Sequence, residues 1–181
     1  MKYQQPFQII VILLFAVSCH KGEKQILLPT LDTFPREIVK KLDVLYTESG
    51  QPKIKLSSPL AKRYATRQSE KLIMPEGIAL LFYDSLGEEY AKLTARYAER
   101  LLNEKKTILR YEVIIETADK KKLTTEELIW DENQHKIFSN LFVRIVTPDK
   151  IIWGDGFESD ERFEKYVILH PKGEIHLNEL K

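Results

Sequence analysis

From Ile38 onwards the chain alternates apolar and polar residues over short runs, each broken by a turn signal. A period of two is what a half-buried strand requires. Leu42-Asp43-Val44-Leu45-Tyr46-Thr47 precedes the turn residues Glu48-Ser49-Gly50-Gln51, and Ile54-Lys55-Leu56 alternates before Pro59. Tyr111, Val113 and Ile115 point to one side while Arg110, Glu112 and Glu116 point to the other. Leu141, Val143 and Ile145 alternate with Asn140, Arg144 and Val146, and Trp130-Asp131-Glu132-Asn133-Gln134-His135 reads as a polar reversal between two runs. The β-branched and aromatic residues in these runs suit a pleated surface. Over 88–102 two readings stay open. Tyr90, Leu93, Tyr97 and Leu101 recur at helical spacing, yet Ala91, Leu93, Ala95 and Tyr97 also alternate with Lys92, Thr94 and Arg96. A chain with this many strands must close into a barrel, pack as a sandwich, or curl into an open jellyroll. The open form leaves an apolar furrow and unpaired edges, which are liabilities unless used.

The remaining composition excludes whole classes of function. A formal net charge of +1 over 181 residues gives no basic face for nucleic acid. The longest basic run, Lys120-Lys121-Lys122, is a solvated turn followed by Glu126-Glu127. None of the 7 glycines forms a phosphate loop or a dinucleotide fingerprint. The length suits one domain.

The first residues read as an export signal. Lys2 precedes the apolar run Ile9–Val17, which is shorter than the roughly 20 residues a membrane-spanning helix needs. The run ends in Ala16-Val17-Ser18-Cys19, which resembles a bacterial lipobox, although Ala16 stands where leucine is commonest. Cys19 is the only cysteine, so no internal disulfide forms. Lipidation of Cys19 would tether the protein to a membrane surface, because each buried methylene contributes about 0.8 kcal/mol and two or more acyl chains hardly dissociate. The expected organisation is a lipoprotein signal peptide over 1–18, a tether over 19–37 and a β domain over 38–181.

The order of features beyond Thr47 carries a resemblance. Tyr46-Thr47-Glu48-Ser49-Gly50 is followed by Met74-Pro75-Glu76-Gly77-Ile78 and Phe82-Tyr83-Asp84. Ala91-x-Leu93-x-Ala95-x-Tyr97-Ala98 comes next, then Leu123-x-Thr125-Glu126-x-Leu128-x-Trp130-Asp131 and Lys136-Ile137-Phe138-Ser139. Gly154-Asp155-Gly156-Phe157-Glu158-Ser159-Asp160 closes the series. Over roughly residues 38–170 this succession resembles the LptC family of the lipopolysaccharide export (Lpt) system, in lipoprotein form.

The resemblance implies an all-β fold, a twisted open β-jellyroll of the OstA/LptA-like kind, and so assigns 88–102 to strand. It implies a non-enzymatic carrier that accepts lipopolysaccharide from the inner-membrane Lpt ABC transporter and passes it to a periplasmic LptA-like bridge. The lipid A acyl chains would lie between the sheets. Such a protein is periplasmic, lipid-anchored through Cys19 and placed at the inner membrane by the family alone, since His20 follows the cysteine. Familiar members use a transmembrane helix as anchor instead. The interior set taken from parity is Leu93, Ala95, Tyr97, Tyr111, Val113, Ile115, Leu128, Trp130, Val143 and Ile145. Gly156 matches a glycine important to the family; a bulge or close backbone approach within a strand and an ordinary Asp-Gly turn both fit it.

No cofactor, metal or catalytic residue is expected. His20, His135, His170 and His176 are scattered, and the last two flank Pro171-Lys172-Gly173 at no ligand spacing, near what reads as a turn. Asp155, Glu158, Asp160 and Glu161 lack the pattern of a calcium loop and read as a charged hairpin. The competing reading is an envelope lipoprotein serving as a structural or assembly module, with a closed β core and no lipid cargo.

Overall fold

The computed structural model describes residues 34–176, all strand, turn and bend. The signal peptide, Cys19 and most of the tether lie outside the described residues. Eleven strands follow one another: β1 (Glu37–Glu48), β2 (Gln51–Ala65), β3 (Glu70–Met74), β4 (Ile78–Tyr83), β5 (Glu89–Ala95), β6 (Tyr97–Leu101), β7 (Lys106–Thr117), β8 (Lys122–Asp131), β9 (Lys136–Val146), β10 (Lys150–Asp160) and β11 (Tyr166–His176). The stretch with two readings is thus strand, as β5 and β6. Tertiary pairing overrides its helical stripe, because β5 lies between β4 and β7 and β6 between β3 and β7. The expected reversal at 130–135 is shorter than its polar residues suggest, with Trp130 and Asp131 still inside β8.

All pairings are antiparallel within one continuous sheet, and most of their irregularities align into a crease. In β7 the register slips between Arg110 and Val113; in β8 and β9 it slips between Thr125 and Ile129, opposite Val143 and Phe138. In β10 it slips between Asp155 and Phe157, and again against β11 between Trp153 and Gly154. Along the same line β5 gives way to β6 at Arg96, and β2 leaves β4 after Ser57 to join β3 at Lys62. Ser58 ties the crease by donating its hydroxyl to the Gly77 carbonyl at 2.7 Å. The sheet is thereby bent into two leaves that share long strands, as a jellyroll requires. Phe82 in β4 meets Trp130 in β8 from the opposite leaf, with ring centroids 6.2 Å apart.

The crease corrects the inward assignment of Tyr111. Tyr111 and Glu112 both adopt left-handed backbone, with φ of 65° and 51°. The extra residue of the bulge turns Tyr111 outward, 57% exposed, while Leu109 and Val113 on either side are fully buried. Tyr111 packs edge-on to Tyr97 at 6.3 Å, and Glu112 pairs with Arg96 at 2.6 Å. Tyr97 itself is half-buried. The alternation resets at Arg96, so Ala98 takes the interior place on β6. Leu141 fails for the same reason as Tyr111: Asn140, Leu141 and Phe142 are all exposed where β9 crosses the crease, between buried Ser139 and Val143.

Pro171-Lys172-Gly173 is likewise part of β11 rather than a turn. Among the described residues β11 pairs with β10 alone, and an edge strand tolerates proline.

Candidate functional site

The two leaves do not fill the space between them evenly. Towards the middle of the sheet, facing residues interlock into a core of Leu93, Leu109, Val113, Ile115, Leu128, Ile137, Val143, Ile145 and Phe157, all nearly inaccessible to solvent. Towards β1 the leaves part around an open cavity of about 1310 Å³. That exceeds the roughly 300–1,000 Å³ of pockets built for drug-sized ligands.

The cavity wall follows from strand periodicity. On β1 the residues Val39, Leu42, Val44 and Tyr46 line it, and the step of three from Val39 to Leu42 falls at Lys41, whose φ is 56°. On β2 the lining residues are Ile54 and Leu56; Leu72 comes from β3, Leu80 and Phe82 from β4, and Tyr90 from β5. Trp130 of β8 closes the side nearest the core, and Phe163, from the turn between β10 and β11, sits against Phe82 edge-on at 5.9 Å.

Several of the cavity's polar groups have partners close by. Trp130 donates its indole N–H to Glu161 Oε1 at 2.8 Å, and His135 Nδ1 meets Glu161 Oε2 at 3.1 Å. At one end of the rim Arg63 is held by Glu37 and Glu70, and at the other Lys121 is held by Asp119 at 2.7 Å. Burial raises the pKa of the Tyr90 phenol; nearby Arg162 opposes this, and Glu161, Glu164 and Asp160 add to it. Tyr90 therefore presents a neutral ring throughout the physiological range. A large apolar wall with several rim charges held in ion pairs suits alkyl chains, which need concealment from water and no directional bond. Among the described residues no cluster of three or more histidine, cysteine, aspartate or glutamate side chains has metal-binding geometry.

Of the ten interior residues named from sequence, Leu93, Ala95, Val113, Ile115, Leu128, Val143 and Ile145 are buried as expected, yet in the filled core and away from the cavity. Trp130 alone lines the cavity. Tyr97 and Tyr111 lie at the crease. Gly156 lies inside β10 with φ of 77°, opposite the extra residue that β9 carries at the crease, so it is a strand position and not an Asp-Gly turn.

Sequence reasoning missed Leu42, Val44 and Tyr46 as lining residues, although their alternation was plain. It also missed Phe82, Tyr90 and Phe163. Phe82 had a usable signal as the inward apolar residue of a run ending at a turn. Phe163 had none, since it stands among Glu161, Arg162 and Glu164.

A family model described as LptC, lipopolysaccharide-assembly, LptC-related, matches residues 9–171. No curated protein matches the chain.

Proposed function

The chain belongs to the LptC-related lipopolysaccharide-assembly family, and from that premise we propose that it carries the acyl part of lipopolysaccharide between its leaves. Family membership gives the coarser role, lipopolysaccharide transport as a periplasmic component associated with the inner membrane. The observation that supports carriage is the cavity beneath β1, apolar along much of its wall, with Arg63 and Lys121 at its rim held in ion pairs. Several acyl chains leaving a membrane would otherwise expose each methylene to water at about 0.8 kcal/mol.

In this reading the chain accepts lipopolysaccharide from the inner-membrane Lpt ABC transporter and delivers it to an LptA-like bridge. The transporter's ATP supplies the work. Both free edges suit such neighbours. Among the described residues β1 pairs only with β2 and β11 only with β10, so each offers unpaired backbone groups to an added strand. A lipid on Cys19 would hold the domain at the membrane.

The test is photo-crosslinking to lipopolysaccharide in cells that make it, with a photoreactive residue in place of Val44 or of its outward neighbour Leu45. Crosslinking at 44 and not at 45 is the expected result. A folded, abundant protein that crosslinks at neither position would sink the carrier reading in favour of a structural or assembly module.

A further inference from the structure

The turn between β10 and β11 breaks an ordinary rule of loops. Connections of this kind run over the surface and carry polar residues. This one carries Phe163, which is only 7% exposed. Its backbone is left-handed, with φ of 57°, an uncommon conformation that is a genuine outlier for a bulky side chain. Such conformations persist only where surrounding contacts hold them, and they cluster at clamps and switches. Here the contact is apolar: Phe163 packs edge-on against Phe82 at 5.9 Å, beside Tyr90 and Trp130 on the cavity wall. We propose that the β10–β11 turn is a built-in plug, with Phe163 occupying space that an acyl chain takes when cargo is loaded. This rests on the carrier reading and adds a gate to it.

The turn has the build of a unit that moves as one piece. Phe163 N–H donates to the Asp160 carbonyl at 3.2 Å, Glu164 N–H donates to Asp160 Oδ1 at 2.9 Å, and Asp160 N–H donates to the Lys165 carbonyl at 3.2 Å. These bonds lie within the turn and survive if it swings out. What fastens it to the rest of the domain is slighter. Glu161 accepts the Trp130 indole N–H and meets His135 at a partly exposed position, where water replaces such contacts at little cost. Phe163 leaves the wall only when another apolar group takes its place. An acyl chain satisfies that condition and water does not, so Phe163 covers its part of the wall in the empty carrier and yields to cargo.

The experiment uses the full-length chain in lipid nanodiscs, with a photoreactive residue at Val44, titrated with purified lipopolysaccharide. Phe163→Ala removes the competitor, and half-saturation is expected at about tenfold lower concentration. Glu161→Ala loosens the fastening, keeps Phe163 and is expected to give a smaller gain of about threefold. It also decides the matter if Phe163→Ala does not fold. Saturable crosslinking of the unaltered chain with no shift in the folded variants would overturn the plug and leave the carrier reading standing. No crosslinking in any chain would overturn both.

Discussion

Two glycines two residues apart on β10 meet different obstacles, so replacing each with alanine separates two kinds of strain. Gly154 is buried, and a methyl group there would run into the His170 carbonyl oxygen and come within 2.8 Å of the Pro171 Cα. Both are backbone atoms of β11, so the strands must part. Overpacking of this kind costs about 1–3 kcal/mol, and each ladder hydrogen bond lost adds about 1 kcal/mol. Alanine's smaller unfolded-state entropy returns only about 0.4–1 kcal/mol, leaving a loss of about 3 kcal/mol.

Gly156 has φ of 77°, where a side chain costs about 1–2 kcal/mol. The atoms a methyl would meet belong to the Leu169 side chain, the nearest at 3.0 Å, and Leu169 is partly exposed and free to swing aside. After the same entropic return the loss is about 1 kcal/mol. At about 2–4 °C per kcal/mol for a domain near this size, Gly154→Ala is expected to lower Tm by about 6–12 °C and Gly156→Ala by about 2–4 °C. Thermal unfolding followed by far-UV circular dichroism reads both. A Gly154→Ala protein as stable as the parent, or one less affected than Gly156→Ala, would refute the reasoning about β11.

Three further outcomes are expected. Tyr111→Gly relieves a left-handed backbone at an exposed site and changes stability by less than about 1 kcal/mol, whereas Val113→Ala, two residues on, costs about 2 kcal/mol; urea titration of the pair tests the crease. Asp131 has a lowered pKa: burial works against this but is outweighed by the Gln134 N–H, Lys106 and the Asn133 N–H. Its folded pKa lies below the unfolded value, so its contribution is complete above about pH 3.9 and is lost as pH falls through the folded value. Asp131→Asn should flatten that acid limb in a pH series of unfolding curves. Cys19→Ser should abolish metabolic labelling by radioactive palmitate and move the protein from the membrane to the soluble fraction, and a labelled, membrane-bound variant would refute lipidation at that residue.

Strand content was legible because alternation depends on neighbours one and two positions away, and the pleat enforces it directly. Val113, Ile115, Val143 and Ile145 were placed inward by that rule alone, and they are inward. The rule stops where the pleat stops. Tyr111 and Leu141 sit where the long strands bend, and a bulge adds one residue without announcing itself in sequence, since Arg110-Tyr111-Glu112-Val113 is an unremarkable strand tetrapeptide. Gly156, opposite the extra residue of β9, was the one local signal of the crease. The cavity was less legible still. Parity says which side chains face inward, but whether an inward residue meets a partner depends on how far apart the leaves stand, which is set by pairings distant in sequence. Leu93 and Leu56 have the same pattern; one is buried in the core and the other lines open space.

The position of that open space has a cause. In the middle of the sheet each strand has a neighbour on both sides, and the opposite leaf supplies side chains enough to fill the interior. β1 has β2 on one side and nothing among the described residues on the other. Its inward residues Val39, Leu42, Val44 and Tyr46 therefore form the last column of the wall, with no further column to help close the leaves over them. The edge that lacks a hydrogen-bonding partner is thus also the edge where the interior lacks filling. A strand from another protein added to β1 would satisfy the free backbone groups and extend the apolar wall in the same step. Docking and continuity of the lipid path then become one event. A charge placed on the outer face at Leu45 leaves the wall intact, whereas one placed inward at Val44 interrupts it, so the second substitution should block lipopolysaccharide crosslinking even where strand addition still occurs.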